Sequence, residues 1–275
     1  MSILPAEIHI TPGEHPEWHV LGLTFNSDTI ISTIVAGLLV LLLGFLVRRS
    51  LTRTTEDHVP SKIQIIWESV VGEVNRQVED NLGKVHPFVA PLAISLFFFI
   101  LFANWLELVP TELNEKTHLL PAPTADTNLT YAMAIFAVVS VWVYGIRTKG
   151  FKGYFSHFVQ PYRVLLPLNV LEELVKPITL ALRLFGNIFA GGIMIALIGG
   201  LVSLAPANIP VGGILAGLLN VVWKLFDTLF LGGLQAFIFA LLTVLYFGMA
   251  GAGHEDDHEE QQEPTTKKTE PEPAS

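Results

Sequence analysis

Arg183 stands in an otherwise apolar run, Leu180-Ala181-Leu182-Arg183-Leu184-Phe185-Gly186-Asn187. A guanidinium keeps its proton, and near the centre of a bilayer it costs several kcal/mol unless it faces a polar cavity or a partner. The alternative is an arginine snorkelling to a helix end, the habit of long basic side chains near membrane boundaries. Steps of three, four and seven from Arg183 trace a helical stripe through Glu172, Lys176, Thr179, Asn187 and Ala190, polar on one side of the arginine and small and apolar beyond Asn187. Further along, Lys224, Asp227 or Thr228, and Gln235 share a side of a second apolar run.

Depth sorts these groups into three zones. Glu172, Glu173 and Lys176 lie up to about 16 Å along the helix on the cytoplasmic side of Arg183. Glu107, Glu112 and Asp227 lie toward the exterior, with Arg183, Asn187 and Gln235 between. Carboxylates can relay protons, whereas a permanent cation repels any proton crossing directly. The pattern therefore reads as two aqueous half-paths that do not meet, with a mobile carboxylate on a neighbouring subunit carrying the ion around the arginine. Each charge also has a plainer reading: Lys224 and Asp227 as a buried pair that only locks helices together, and Glu107 as a carboxylate already among the headgroups.

The elements that must hold these residues are membrane helices. Half of the chain is hydrophobic (51%), 15% is charged and mean hydropathy is +0.52, which excludes an ordinary soluble domain. The fold class read from this is an all-α polytopic membrane protein with spanning helices over 29–47, 88–109, 129–146, 168–204 and 211–249. A peripheral amphipathic helix is expected over 61–82, where Ile63, Ile66, Trp67, Val70, Val71 and Val74 form an apolar side. The last two spanning runs exceed thirty residues, too long to stand upright in a bilayer about 30 Å thick, so they must be strongly tilted or broken. Pro177 and the pairs Gly191-Gly192, Gly199-Gly200, Gly212-Gly213 and Gly232-Gly233 offer bend points and close approach.

Basic residues fix the expected orientation. Arg48, Arg49 and Arg53 follow the first run, and Arg147, Lys149, Lys152 and Arg163 follow the third, whereas the intervening loop from Thr111 to Asn128 has only Lys116. An exterior N-terminal segment (1–27), a membrane domain (28–250) and a cytoplasmic tail (251–275) follow from this. The tail carries most of the net charge of −9 and is expected to be disordered. Met1 to Asn26 lacks a basic region followed by an apolar core, so the first helix is expected to remain in the protein.

Other chemistries find no support. The chain has no cysteine, His9, His15 and His19 fit no ligand spacing, and no metal or cofactor is expected. The glycine pairs belong to no Walker or Rossmann pattern, so nucleotide would be handled by another subunit. Asn128-Leu129-Thr130 matches a glycosylation triplet but abuts a membrane helix and is set aside.

The arginine segment, preceded by Asn169 to Pro177 and followed by Leu234-Gln235-Ala236-Phe237-Ile238-Phe239, resembles subunit a of the F-type ATP synthase membrane sector over roughly Val59 to Met249. The resemblance implies a multi-pass protein of the bacterial inner (plasma) membrane, with no chemistry of its own. Its implied partners are a rotating ring of c subunits, b-type peripheral stalk subunits, the lipid bilayer and, indirectly, the F1 sector, with no nucleic acid. The implied cargo is a proton, with sodium as the other candidate. It gives Arg183 the essential role, makes Asn187 and Gln235 residues that tune proton passage, and matches Asn104, Glu107 and Glu112 to the polar end of the family's second spanning helix. Two positions depart from the better-known enteric pattern: Gly192 and Thr228 stand where titratable partners are expected, and Asp227 is the residue that would supply the missing group. A stand-alone secondary transporter or channel is the competing reading, though no pair of repeated halves is evident. A noncatalytic assembly scaffold is a third.

Overall fold

Backbone in hydrocarbon must satisfy its own hydrogen bonds, so apolar runs of about twenty residues become helices. The computed structural model has five helical spans long and apolar enough to cross a membrane: Ser27–Ser50, Val89–Leu108, Thr127–Ser156, Arg163–Gly200 and Ile214–Gly251. The structure describes residues 17–20, 23–52, 62–83, 87–108, 112–114, 117–118, 122–157, 162–203 and 210–251. His9, His15, residues 204–209 and nearly all of the acidic tail lie outside them.

A short antiparallel hairpin, β1 (Glu17–Val20) with β2 (Leu23–Asn26), leads directly into α1 (Ser27–Thr52). Helix α2 (Lys62–Leu82) follows, then α3 (Val89–Trp105) with a closing 3-10 turn at Leu106–Leu108. A second hairpin, β3 (Glu112–Asn114) with β4 (Thr117–His118), sits in the next connection. Neither hairpin was anticipated; both lie outside the membrane helices, whose all-α architecture is as expected. Helix α4 (Thr127–His157) continues well past the apolar run that announced it, bending at Gly150, whose φ of 74° suits glycine. Helix α5 (Leu166–Ser203) is continuous through Pro177. The returning segment comprises α6 (Pro210–Leu225), a π-helical stretch Phe226–Leu231, and α7 (Gly232–Gly251).

Helix α7 is the axis of the packing. Its Val244, Phe247 and Ala250 meet Val78 of α2, Ala93 of α3 and Val141 of α4 in one cluster. Its Ala236 and Phe239 meet Ile100 of α3, Ala134 of α4 and Leu180 and Leu184 of α5 in another. Small residues at these contacts are what membrane helices use to approach one another, since lipid supplies no hydrophobic drive between them. Helix α1 joins through Ala36 against Ala103 and Leu106, and otherwise presents Ile34, Leu38, Leu41 and Phe45 outward.

Polar locks sit at the end where α1 begins. The Asp126 carboxylate accepts from the Asn128 backbone N–H (2.8 Å), capping α4, and from Asn26 Nδ2 (2.7 Å) and Thr29 Oγ1 (2.9 Å). Helix α2 docks through Val74, Val78 and a stacked contact of Trp67 with Phe98, rings 5.0 Å apart. Ile63 and Ile66, grouped with that face from the sequence, are exposed instead. The side of α2 turned to the protein is rotated from the one the apolar pattern suggested, because Gln64 is buried where Ile63 and Ile66 are not.

Candidate functional site

The α5 stripe falls where an open face should. Glu172, Thr179, Arg183 and Ala190 are exposed and Asn187 is half-buried, while Leu180, Ala181, Leu184 and Gly191 turn inward. Arg183 makes no hydrogen bond or ion pair among the described residues. The exposed surface of these helices is otherwise apolar, with Leu182, Phe189, Met194 and Leu197 on α5 and Leu215, Leu218, Val222 and Leu229 on the returning segment. Such a surface faces lipid or another membrane protein. A lone arginine on it calls for a partner of opposite charge from outside the chain.

Glu172 and Glu173 differ. Glu172 is exposed, whereas the Glu173 carboxylate accepts from Trp142 Nε1 (2.6 Å) and Lys176 Nζ (2.6 Å). Lys176 also lies over the Tyr246 ring, 5.4 Å from its centre. Glu173 and Lys176 thus neutralise each other, and Glu172 is the acid left open on this side.

Two of the residues assigned to the exterior zone, Glu107 and Asp227, come together with Lys224 near α5 and the returning segment. Lys224 Nζ donates to Glu107 Oε1 (2.6 Å), so the ion pair of Lys224 is with Glu107, where the plainer sequence reading had paired it with Asp227. The pairing crosses from the 3-10 turn after α3 to α6, which neighbouring positions on one helix could not reveal. Asn104 is 2% exposed; its Nδ2 donates to the Gly232 carbonyl (3.0 Å) and its Oδ1 accepts from Thr124 Oγ1 (2.6 Å). The side chain of Glu112 lies outside the described residues.

The π-helical stretch decides how Asp227 is used. Successive side chains on an α-helix diverge by about 100°, and a π turn carries an extra residue that re-aims them. Here Asp227 and Thr228 are both buried, at 4% and 2% exposure. The Asp227 carboxylate packs on Gly191: a Cβ there would stand 2.7 Å from Asp227 Cγ and 2.8 Å from Oδ1, and closer still to Oδ2. Trp223 Nε1 makes a long bond (3.4 Å) to the Gly191 carbonyl. Gly191 is therefore the complement of Asp227, a role its place in a glycine pair did not disclose.

Five buried side-chain polar atoms lack a hydrogen-bond partner among the described residues, and four lie on the returning segment: Asn220 Oδ1, Asp227 Oδ1, Thr228 Oγ1 and Gln235 Nε2. Positions 220, 227, 228 and 235 repeat every seven or eight residues, so they share one side of the helix over about 22 Å. Buried polar atoms are ordinarily satisfied, and a row of exceptions along one face marks where hydrogen-bonding species are accommodated. Asn220, an amide between leucine and valine, lies outside both recognisable motifs and was not picked out in the sequence.

Comparison with known proteins gives the family. The family model described as ATP synthase A chain matches residues 30–248. The chain belongs to this family. A relative named ATP synthase subunit a from Acidothermus cellulolyticus is 42% identical over 98% of this chain and 94% of its own length. Another of that name, from Mycobacterium bovis, is 43% identical over 94% and 99%, and one from Desulforamulus reducens 34% identical over 88% and 85%. As a multi-pass member of the ATP synthase A chain family, the protein carries the arginine segment on its open face and the second motif, around Gln235, on the buried core of the returning segment.

The Glu107–Lys224 pair gives a first prediction. Lys224→Met should leave Glu107 partly buried without its counter-charge and lower resistance to SDS unfolding by on the order of 1 kcal/mol, the scale of polar contacts between membrane helices. Lys224→Arg should keep the pair and most of that resistance.

Proposed function

We propose that this chain is the proton-translocating stator subunit of an F-type ATP synthase membrane sector. It would sit in the bacterial plasma membrane with its N-terminus outside and its C-terminus in the cytoplasm, as the basic connections favour. The observation that carries the reading is the split between two faces. The permanent charge of Arg183 is on the open apolar face, while the row of unpartnered polar atoms from Asn220 to Gln235 runs behind it.

In this reading the buried row, with Asn104 and Glu107, is the exterior half-path. A proton entering it reaches Asp227, the titratable group of the row, and passes by way of Gln235 to a carboxylate on the c-subunit ring apposed to the open face. Neutralised, that carboxylate can enter lipid, and the ring turns. The carboxylate that returns from the other side meets Arg183, whose charge favours its ionised form and drives the proton out past Asn187, Thr179 and Glu172. Arg183 also repels a proton attempting the direct route, so flow is obligatorily coupled to rotation. Glu173 and Lys176 keep a structural part in the cytoplasmic half-path, holding α4 to α5. The lengths of α4, α5 and the returning segment exceed a bilayer thickness, which favours their tilting across the ring. The resemblance to the F-type membrane sector implies b-type stalk subunits and the F1 sector as the further partners, and the carrying carboxylate would select proton or sodium.

A stator with half-paths differs from a stand-alone transporter or channel in what the isolated chain can do. Purified alone into liposomes under a pH gradient, it should give proton flux no greater than protein-free liposomes. With the ring, stalk and F1 sector, ATP should drive acidification. Sustained flux through the isolated chain would select the transporter reading.

A further inference from the structure

Where the bent end of α4 meets the start of α5, a cavity of about 320 Å³ opens, lined by Trp142, Ile146 and Phe155 on one side and Leu166, Val170 and Leu174 on the other. Leu166, Val170 and Leu174 repeat every four residues and form a ridge about 12 Å long. Phe155, Leu166 and Leu174 are exposed, so the cavity opens sideways. Its one carboxylate, Glu173, is already satisfied by Trp142 and Lys176, which leaves no unmet charge in the wall. The shape is held by the bend at Gly150, which folds Tyr154 back onto Gly145, so close that a Cβ on Gly145 would stand 2.5 Å from the ring.

The lip of this cavity is basic. Arg147 adjoins Ile146, Lys152 precedes Tyr154 by two residues, and Arg163 precedes Leu166 by three; all three are exposed. Between Arg147 and Leu171 the sequence contains no aspartate or glutamate. An apolar slot walled by a ridge about 12 Å long, with Arg147, Lys152 and Arg163 exposed beside it against one exposed acid, Glu172, matches a molecule with a hydrocarbon chain and an anionic head. We propose that the cavity seats an acyl chain of an anionic phospholipid whose headgroup lies on Arg147, Lys152 and Arg163. The assignment is independent of the proton path and of which way the chain faces.

The test uses the whole complex reconstituted in phosphatidylcholine vesicles with a small fraction of phosphatidylglycerol bearing a diazirine on its acyl chain. After illumination, mass spectrometry should find the label on peptides spanning Trp142 to Phe155 and Leu166 to Leu174. Unlabelled phosphatidylglycerol should compete it away, and added phosphatidylcholine should not. Arg163→Gln and Lys152→Gln should each lower labelling about fivefold, the worth of one basic residue at an anionic surface. Val170→Trp, which fills the slot, should abolish it; should that variant fail to assemble, the two exposed charge variants decide alone. Equal labelling by a phosphatidylcholine diazirine lipid, indifference to both charge variants, or crosslinks from these peptides to another polypeptide would each overturn the assignment.

Discussion

Replacing Arg183 with alanine should reduce ATP-driven proton pumping in inverted vesicles to the level of vesicles lacking the complex, while the ring and stalk still co-purify with the chain. Assembly should survive because Arg183 is exposed and makes no hydrogen bond or ion pair among the described residues, so its removal breaks no contact of the core. Surface replacements of that kind shift stability by about 0.5 kcal/mol or less. Transport should fail because no other cation on the open face can take over: Lys176, about 10 Å away along α5, is held by Glu173. Arg183→Lys separates charge from chemistry. A lysine can shed its proton when desolvated, as a guanidinium does not, so this variant should pump weakly and leak protons when ATP is withheld. Undiminished pumping by Arg183→Ala would make the charge structural and remove the basis of the proposed cycle.

The sequence made the membrane helices legible because each is a long apolar run ended by charges or prolines. It made Arg183 legible because a charge inside such a run has few innocent explanations. What it concealed depends on contacts between distant segments. Lys224 and Asp227 are three residues apart, and their nearness allowed a pair as the plainer reading; the partner of Lys224 is Glu107, supplied by the 3-10 turn after α3. Two acids side by side, Glu172 and Glu173, read alike in the sequence, yet only one meets Trp142. The apolar pattern of α2 fixed its helical character but not its rotation, since Trp67 stacking on Phe98 determines which side is covered. The π-helical stretch was invisible for a related reason. Phe-Asp-Thr-Leu-Phe-Leu has no residue that forces an extra turn, and the contact of Asp227 with Gly191 lies between segments distant in the chain.

That stretch makes Asp227 the second large effect. Asp227→Asn preserves size and shape but removes the titratable proton, and it should slow pumping by about a hundredfold, the lower end of what a positioned proton-transferring group contributes. The complex should assemble normally, since the amide fits the same space on Gly191. Gly191→Ala tests the geometry independently. Its methyl would occupy the volume of the carboxylate, so Asp227 must swing away, and pumping should fall although every titratable group is retained. The two effects should not add. In an Asp227→Ala background, where there is no carboxylate to displace, Gly191→Ala should cause little further loss, the signature of two residues acting through one contact. Full pumping in Asp227→Asn would remove the acid from the exterior half-path. Additive losses in the double variant would mean that Gly191 serves helix packing alone, leaving Asp227 to be positioned by the π-helical turn and the Glu107–Lys224 pair beside it.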